Sequence, residues 1–258
     1  METITSRTNP LCTHLRRLAA SRAYREKTGE CLCDSPKLLR EAVLWAAPAV
    51  TAVLYTAGTE LPPLNGVCAR VVQVTEGVMR SVSPMETPQG VVFSCRMAET
   101  APPPRLDAGD GGRRYLLLDG VQDPGNVGTM LRTADAFGWT VFLLEGCADL
   151  YNPKTLRAAM GVQFRRPVYR APLERAAALV REAGLPLYAT ALAEDTADVR
   201  AVDLSRCGVV IGSEGRGVSL QALALCQGTV KIPMEKTCES LNAAAAAAVV
   251  LWEGARND

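Results

Sequence analysis

The sequence predicts an α/β protein of two domains. Short apolar, β-branched runs alternate with helical-period segments along most of the chain, the pattern of sheets covered by helices. Two runs, residues 115–118 and 209–211, are apolar without interruption, as in strands buried on both faces of a parallel sheet. Between residues 98 and 114 the alternation stops. There Pro102-Pro103-Pro104 makes a stiff extended piece and Gly109-Asp110-Gly111-Gly112 a flexible one, which together make a domain joint. A boundary near residue 108 divides the 258 residues into 1–108 and 109–258, each of ordinary domain size.

In the first domain, residues 10–27 read as one helix ending near Gly29, followed by a short strand over 30–33. Ser35-Pro36 marks a helix start, with serine as N-cap and proline at the first helical position, where its missing N–H costs nothing. That helix runs over 37–45. Strands follow at 50–55 and 70–74, then a short helix at 75–82 and an apolar strand at 91–97.

The second domain opens with the strand 115–118, a loop 119–126, a helix 127–137 closed by Gly138 and a strand 139–144, which form a βαβ unit. Asn152-Pro153 starts another helix, ended by Gly161. Residues 165–169 read as a strand, and 173–183 as a helix capped by Gly184. Strands at 187–192, 208–211 and 229–232 complete a largely parallel sheet. Pro233 stops the last, having no N–H for the ladder. Ser240-Leu241-Asn242 then opens a helix through six alanines to about Trp252. Alanine has the best helix propensity, and Ser240 or Asn242 can cap the first turn. By themselves these residues fit a capped core helix as well as a recognition site.

Composition excludes several classes. No apolar run reaches the roughly 18 residues needed to span a bilayer, and no secretion signal precedes the first helix, so a cytoplasmic protein is expected. Nine cysteines at irregular spacing do not form a disulfide framework. Cys31-Leu32-Cys33 reads as buried strand thiols rather than metal ligands. The single histidine, His14, argues against a histidine-rich metal site and a Ser-His pair. The net charge of +1 is uninformative. Its distribution is not: Arg7, Arg16, Arg17, Arg22, Arg25 and Lys27 are opposed only by Glu26. This is either a solvated helix face or a phosphate-tracking surface.

Three stretches carry the chemistry. The first is Leu117-Leu118-Asp119-Gly120-Val121-Gln122-Asp123-Pro124-Gly125-Asn126-Val127-Gly128-Thr129-Met130-Leu131-Arg132. In its helix Val127, Met130, Leu131, Ala134 and Phe137 share one face, which leaves Arg132 on the other, free for solvent or an anion. The second is Val209-Val210-Ile211-Gly212-Ser213-Glu214-Gly215-Arg216-Gly217. Its glycines permit tight turns after a strand, where α/β sheets bind ligands, but Gly-x-x-Gly-x-Gly is not a dinucleotide fingerprint. The third runs from Lys231 through Pro233 to Asn242.

In this order the three stretches resemble the motifs of the SpoU branch of the SPOUT RNA methyltransferases, over residues 115–253. The resemblance implies a deep trefoil knot in the C-terminal domain, with residues from about 231 threaded through a loop near Gly212. It also implies S-adenosylmethionine as methyl donor, transfer to a ribose 2′-hydroxyl, no metal, and a homodimer. By the same resemblance Asn126, Arg132, Glu214, Ser240 and Asn242 are catalytic, with Asn126 fixing the Arg132 guanidinium. Thr190, Ala191, Leu192, Gly212, Gly217, Ile232, Met234 and Leu241 hold the donor. Glu235 and Glu239 read as solvated loop charges, and Trp252 as a core or dimer contact.

Ile4-Thr5-Ser6-Arg7-Thr8-Asn9-Pro10 and Glu86-Thr87-Pro88-Gln89-Gly90-Val91-Val92 resemble the L30e-like substrate-binding domain often fused ahead of such enzymes. In that setting Arg7, Arg16, Arg17, Arg22 and Arg25 are expected to contact RNA. Family members usually carry an acidic residue and a glycine before Pro-Lys-Leu-Leu; here Asp34-Ser35 takes that place. The two-domain layout resembles ribosomal RNA enzymes. The alternatives are a tRNA 2′-O-methyltransferase and an inactive RNA-binding homologue.

Overall fold

The computed structural model describes residues 3–106, 114–192, 196–235 and 237–256. The expected boundary at 108 and the glycine half of the linker lie outside them. The chain forms two compact units. One holds the residues up to Glu99 together with Asp149–Arg165, and the other holds Thr100–Ala148 and the residues from Arg166 on.

The first unit is built from β1 (Thr3–Ile4), α1 (Pro10–Ala20), α2 (Arg22–Thr28), β2 (Glu30–Asp34), α3 (Pro36–Ala46), β3 (Val50–Thr56), β4 (Arg70–Val74), α4 (Glu76–Val82) and β5 (Val91–Arg96). Its sheet runs β1-β4-β3-β5-β2. β4 is parallel to β1 and β3, and β5 is antiparallel to β3 and β2. Leu15 and Leu18 of α1 pack with Leu54, Val72, Met79 and Val92 in the core. Cys31, Cys33 and Cys95 are buried. The hydrogen bond with Cys33 and then burial hold the Cys31 thiol well above its ordinary pKa, which keeps it an inert hydrophobe.

The single helix expected over 10–27 is two. Ser21 is extended (φ −124°, ψ 115°), its N–H closing α1 on the Arg17 carbonyl and its hydroxyl accepting from Tyr24 N. A serine hydroxyl competing for backbone N–H groups favours such a break.

Ser35 caps α3 as expected, accepting from Leu38 N, but at φ 97° and ψ 145°. That region is essentially a glycine region and costs other residues of order 1–3 kcal/mol. A glycine at this place would have a backbone reason, and serine occupies it under strain. Ser35→Gly loses a few tenths of a kcal/mol in capping and relieves the backbone strain, which is the greater of the two effects. It should raise stability by about 1 kcal/mol, read as a rise of roughly 2–4 °C in the thermal midpoint. A fall instead would show that the bond to Leu38 outweighs the strain.

The second unit begins with β6 (Arg114–Asp119), α5 (Pro124–Ala136) and β7 (Thr140–Leu143). The chain then returns to the first unit for α6 (Pro153–Ala159) and α7 (Val162–Arg165). Three ion pairs bind this returning segment: Asp149 to Arg25 at 2.6 Å, Arg157 to Asp34 at 2.8 Å and Arg165 to Glu41 at 2.9 Å. Arg25 is 3% exposed, and its guanidinium also donates to the Leu18 carbonyl. Its assignment to RNA is therefore corrected: a buried guanidinium saturated by a carboxylate has nothing left for a phosphate. Arg165, expected to open a strand, ends α7 instead.

The second unit resumes with β8 (Val168–Arg170), α8 (Leu173–Glu182), β9 (Leu187–Thr190), β10 (Ala197–Asp198), β11 (Cys207–Gly212), α9 (Leu220–Leu225), β12 (Gly228–Lys231) and α10 (Ala243–Ala255). Its sheet order is β10-β12-β9-β11-β6-β7-β8, with every pair parallel. Neither β10 nor α9 was expected from the sequence, both being very short. The helix α10 starts at Ala243, not at Ser240, and Asn242 is its cap. At its far end Trp139 Nε1 donates to the Leu251 carbonyl at 3.1 Å and Arg114 to the Gly254 carbonyl at 2.8 Å. Trp252 is half exposed and stands edge-on to Phe137. No helix among the described residues is long and apolar enough to cross a membrane.

Candidate active site

The ends of β9, β11 and β12 open on a cleft of about 390 Å³, within the roughly 300–1,000 Å³ of small-molecule sites. Parallel strands gather their C-terminal loops on one side, which is where such sheets bind ligands. All eight residues expected to hold the donor line it: Thr190, Ala191, Leu192, Gly212, Gly217, Ile232, Met234 and Leu241. Glu214 and Ser240 line it too.

The loop after β11 is shaped by its glycines. A Cβ on Gly212 would lie 2.0 Å from the Gly217 carbonyl carbon and oxygen and 2.2 Å from Val218 N, so no side chain fits. Gly217 has φ 67°, which a side chain would strain. Ser213 and Gly217 exchange backbone hydrogen bonds of 3.1 and 2.9 Å, closing a tight five-residue turn that carries Glu214.

Glu214 is the acceptor end of a chain of contacts linking the three motifs. The Asn126 side-chain amide N–H donates to the Glu214 carboxylate, and Asn242 Nδ2 donates to Asn126 Oδ1 at 3.3 Å. Asn242 Oδ1 in turn accepts from Ala244 N and Ala245 N, capping α10. One asparagine thus serves both the helix terminus and the site. Asn126 is corrected from a holder of Arg132 to a holder of Glu214, because its amide bonds to Glu214 and Asn242 and not to Arg132. Arg132 is exposed on α5 and makes no hydrogen bond or ion pair among the described residues. Ser240 does not cap the helix; its carbonyl accepts from the Cys238 thiol.

The lining suits S-adenosylmethionine. Leu192, Ile232, Met234 and Leu241 offer apolar wall to a purine, and Glu214 a carboxylate to a sulfonium. Arg216 and Lys231 offer cations to an amino-acid carboxylate.

In the first unit the basic residues other than Arg25 differ in their freedom. Arg7 and Arg17 are exposed, with the Arg17 guanidinium 3.9 Å over the Tyr24 ring. Arg16 donates to the Arg7 carbonyl at 2.9 Å, and Arg22 pairs with Glu26 at 2.8 Å.

The sequence profile of the SpoU rRNA Methylase family matches residues 113–252, and the chain belongs to that family. Within it, the chain is 34% identical over 229 residues to the Bacillus subtilis 23S rRNA (guanosine(2553)-2′-O)-methyltransferase RlmP, covering 88% of this chain and 89% of that protein. The Thermus thermophilus tRNA (guanosine(18)-2′-O)-methyltransferase is 40% identical over 148 residues, covering 55% of this chain and 73% of that one. Among solved structures, the AdoMet-bound rRNA methyltransferase from Sinorhizobium meliloti superposes with a TM-score of 0.86 at 29% identity, covering 99% of this chain and 98% of that one.

Proposed function

We propose that this chain is an S-adenosylmethionine-dependent RNA 2′-O-ribose methyltransferase acting on ribosomal RNA. The observation that carries the reading is the hydrogen-bonded line Asn242–Asn126–Glu214, which joins all three motifs at the rim of the cleft. A relative named for rRNA matches through both units, whereas the one named for tRNA matches 55% of the chain. This favours the ribosomal substrate.

When bound, the donor supplies a methyl group on a sulfonium, a good leaving group that needs no metal. The chain's own residues do the rest. Arg132 stays protonated under nearly all conditions, so it is a poor proton acceptor. Its role is to hold an RNA phosphate by a bidentate, charge-assisted contact, which places the ribose hydroxyl and stabilises the alkoxide as it forms, while a phosphate oxygen of the substrate takes the hydroxyl proton. Asn242 orients Asn126, which holds Glu214, and Ser240 completes the polar rim. Residues 109–258 form the catalytic part and residues 1–108 an L30e-like RNA-binding part, in which Arg7, Arg16, Arg17 and Arg22 track phosphates. The chain acts in the cytoplasm as a homodimer and carries a trefoil knot, with residues from Lys231 onward threaded near Gly212. In support of the knot, Ser240 and Leu241 return to the cleft that Gly212 and Gly217 line.

The test is a map of 2′-O-methylation across total RNA in a deletion strain, paired with calorimetry of donor binding. Loss of one ribosomal site is expected. Loss at a tRNA site instead would overturn the substrate, and absence of donor binding would turn the reading to an inactive RNA-binding homologue.

A further inference from the structure

We infer that Asp119, which does not line the cleft, is a positioning residue that clamps the donor loop. The inference rests on reading the cleft as the donor site. Asp119 ends β6, and in the parallel ladder it lies directly opposite Gly212, the residue where the loop departs from β11. Strand pairing therefore fixes the start of the loop. Its end is fixed by the same residue: Asp119 Oδ2 accepts from Ser219 N at 2.7 Å, across 100 residues of sequence. Ser219 then turns its hydroxyl to Ala222 N at 3.2 Å and caps α9. One residue at the end of β6 thus holds both ends of residues 212–219, its backbone the start and its carboxylate the end.

Among the described residues the rest of that loop has few other holds besides Val218, which is buried in the core of the second unit. The Ser213–Gly217 bonds are internal to it, and the Asn126–Glu214 contact joins its tip to α5. Without the carboxylate, Ser219 N loses its acceptor in a half-buried position, and the loop's exit from the cleft rests on the packing of Val218. The two glycines that shape the loop permit such motion as readily as they permit the native turn. Asp119 therefore acts on the donor through Gly217 and Val218, which line the cleft, and touches neither donor nor ribose itself.

What matters is an oxygen acceptor at this place, so Asp119→Asn and Asp119→Ala should separate. The experiment measures donor affinity by calorimetry, kcat at saturating donor, and amide hydrogen exchange of the ligand-free full chain. Asp119→Ala should weaken donor binding about tenfold, the loss of one hydrogen bond to a charged group, with kcat within a few-fold. Asp119→Asn should restore affinity to within about a factor of two or three, the residual expected when a neutral acceptor replaces a charged one. In Asp119→Ala the amides of Gly217 and Ser219 should exchange faster while those of Leu116, Leu117 and Leu118 keep their protection. Unchanged donor affinity in Asp119→Ala, an asparagine variant no better than alanine, or loss of β6 protection in step with Ser219 would each overturn the clamp. If the wild-type chain binds no donor, the functional reading fails; the exchange pattern still decides whether Asp119 holds the loop.

Discussion

Arg132→Ala is expected to lower methyl transfer by about 10²–10³-fold, the scale for removing one preorganised charge stabiliser, while donor affinity stays within a few-fold. Arg132 is exposed, unpaired among the described residues, and not among those lining the cleft. Its removal thus leaves no buried partner stranded and no gap in the donor's walls. Arg132→Lys keeps the charge and loses the planar fork, so it should recover only part of the rate if the phosphate contact is bidentate. Leu241→Glu is the contrasting variant. Leu241 lines the cleft, and a carboxylate there should damage donor binding before the methyl-transfer step. Calorimetry and single-turnover transfer on the three variants separate the two failures. If Arg132→Ala loses the donor as severely as Leu241→Glu, Arg132 belongs to the donor site or to the fold, and its assignment to the ribose is wrong.

Gly212→Ala should abolish donor binding, with affinity lowered at least about 100-fold, equivalent to about 2.7 kcal/mol. The added methyl meets backbone, not a side-chain end that can swing away: the Gly217 carbonyl at 2.0 Å and Val218 N at 2.2 Å. The loop must open, which breaks the paired Ser213–Gly217 bonds and carries Glu214 away from Asn126. Overpacking of this kind costs about 1–3 kcal/mol of stability in addition. Gly215→Ala is the control in the same loop. Its Cβ meets nothing within 4 Å and its φ is not positive, so affinity should change little. Gly212→Ala binding the donor within a few-fold of wild type would mean that the loop tolerates opening and does not shape the cleft.

The second unit's sheet was legible because its strands are buried on both faces and so are apolar throughout, as in 115–118 and 209–211. The motif residues were legible from a family resemblance, and the structure brings the donor set to one cleft. What stayed hidden was whatever depended on a partner far along the chain. Arg25 looked like its basic neighbours, because nothing near it in sequence reveals Asp149. The break at Ser21 was readable in principle, since a serine inside a helical pattern is a standing candidate for a cap. The pairing of Asn126 with Glu214 instead of Arg132 depends on loop geometry set by Gly212, Gly217 and the distant Asp119. The short β10 and α9 are too brief for periodicity to register.

The return of Asp149–Arg165 to the first unit also bears on how the protein is made. Domains usually fold in turn as they leave the ribosome, at about 5–20 residues per second. Here the acceptor for Arg25 lies 124 residues downstream, so its synthesis lags by roughly 6–25 seconds at that pace. During this interval Asp34 and Glu41 also lack the arginines that later neutralise them. The first unit is therefore not complete before β6, α5 and β7 have been made. The nascent chain must keep an N-terminal half-structure soluble until Arg165 emerges, and that requirement links the two units in time.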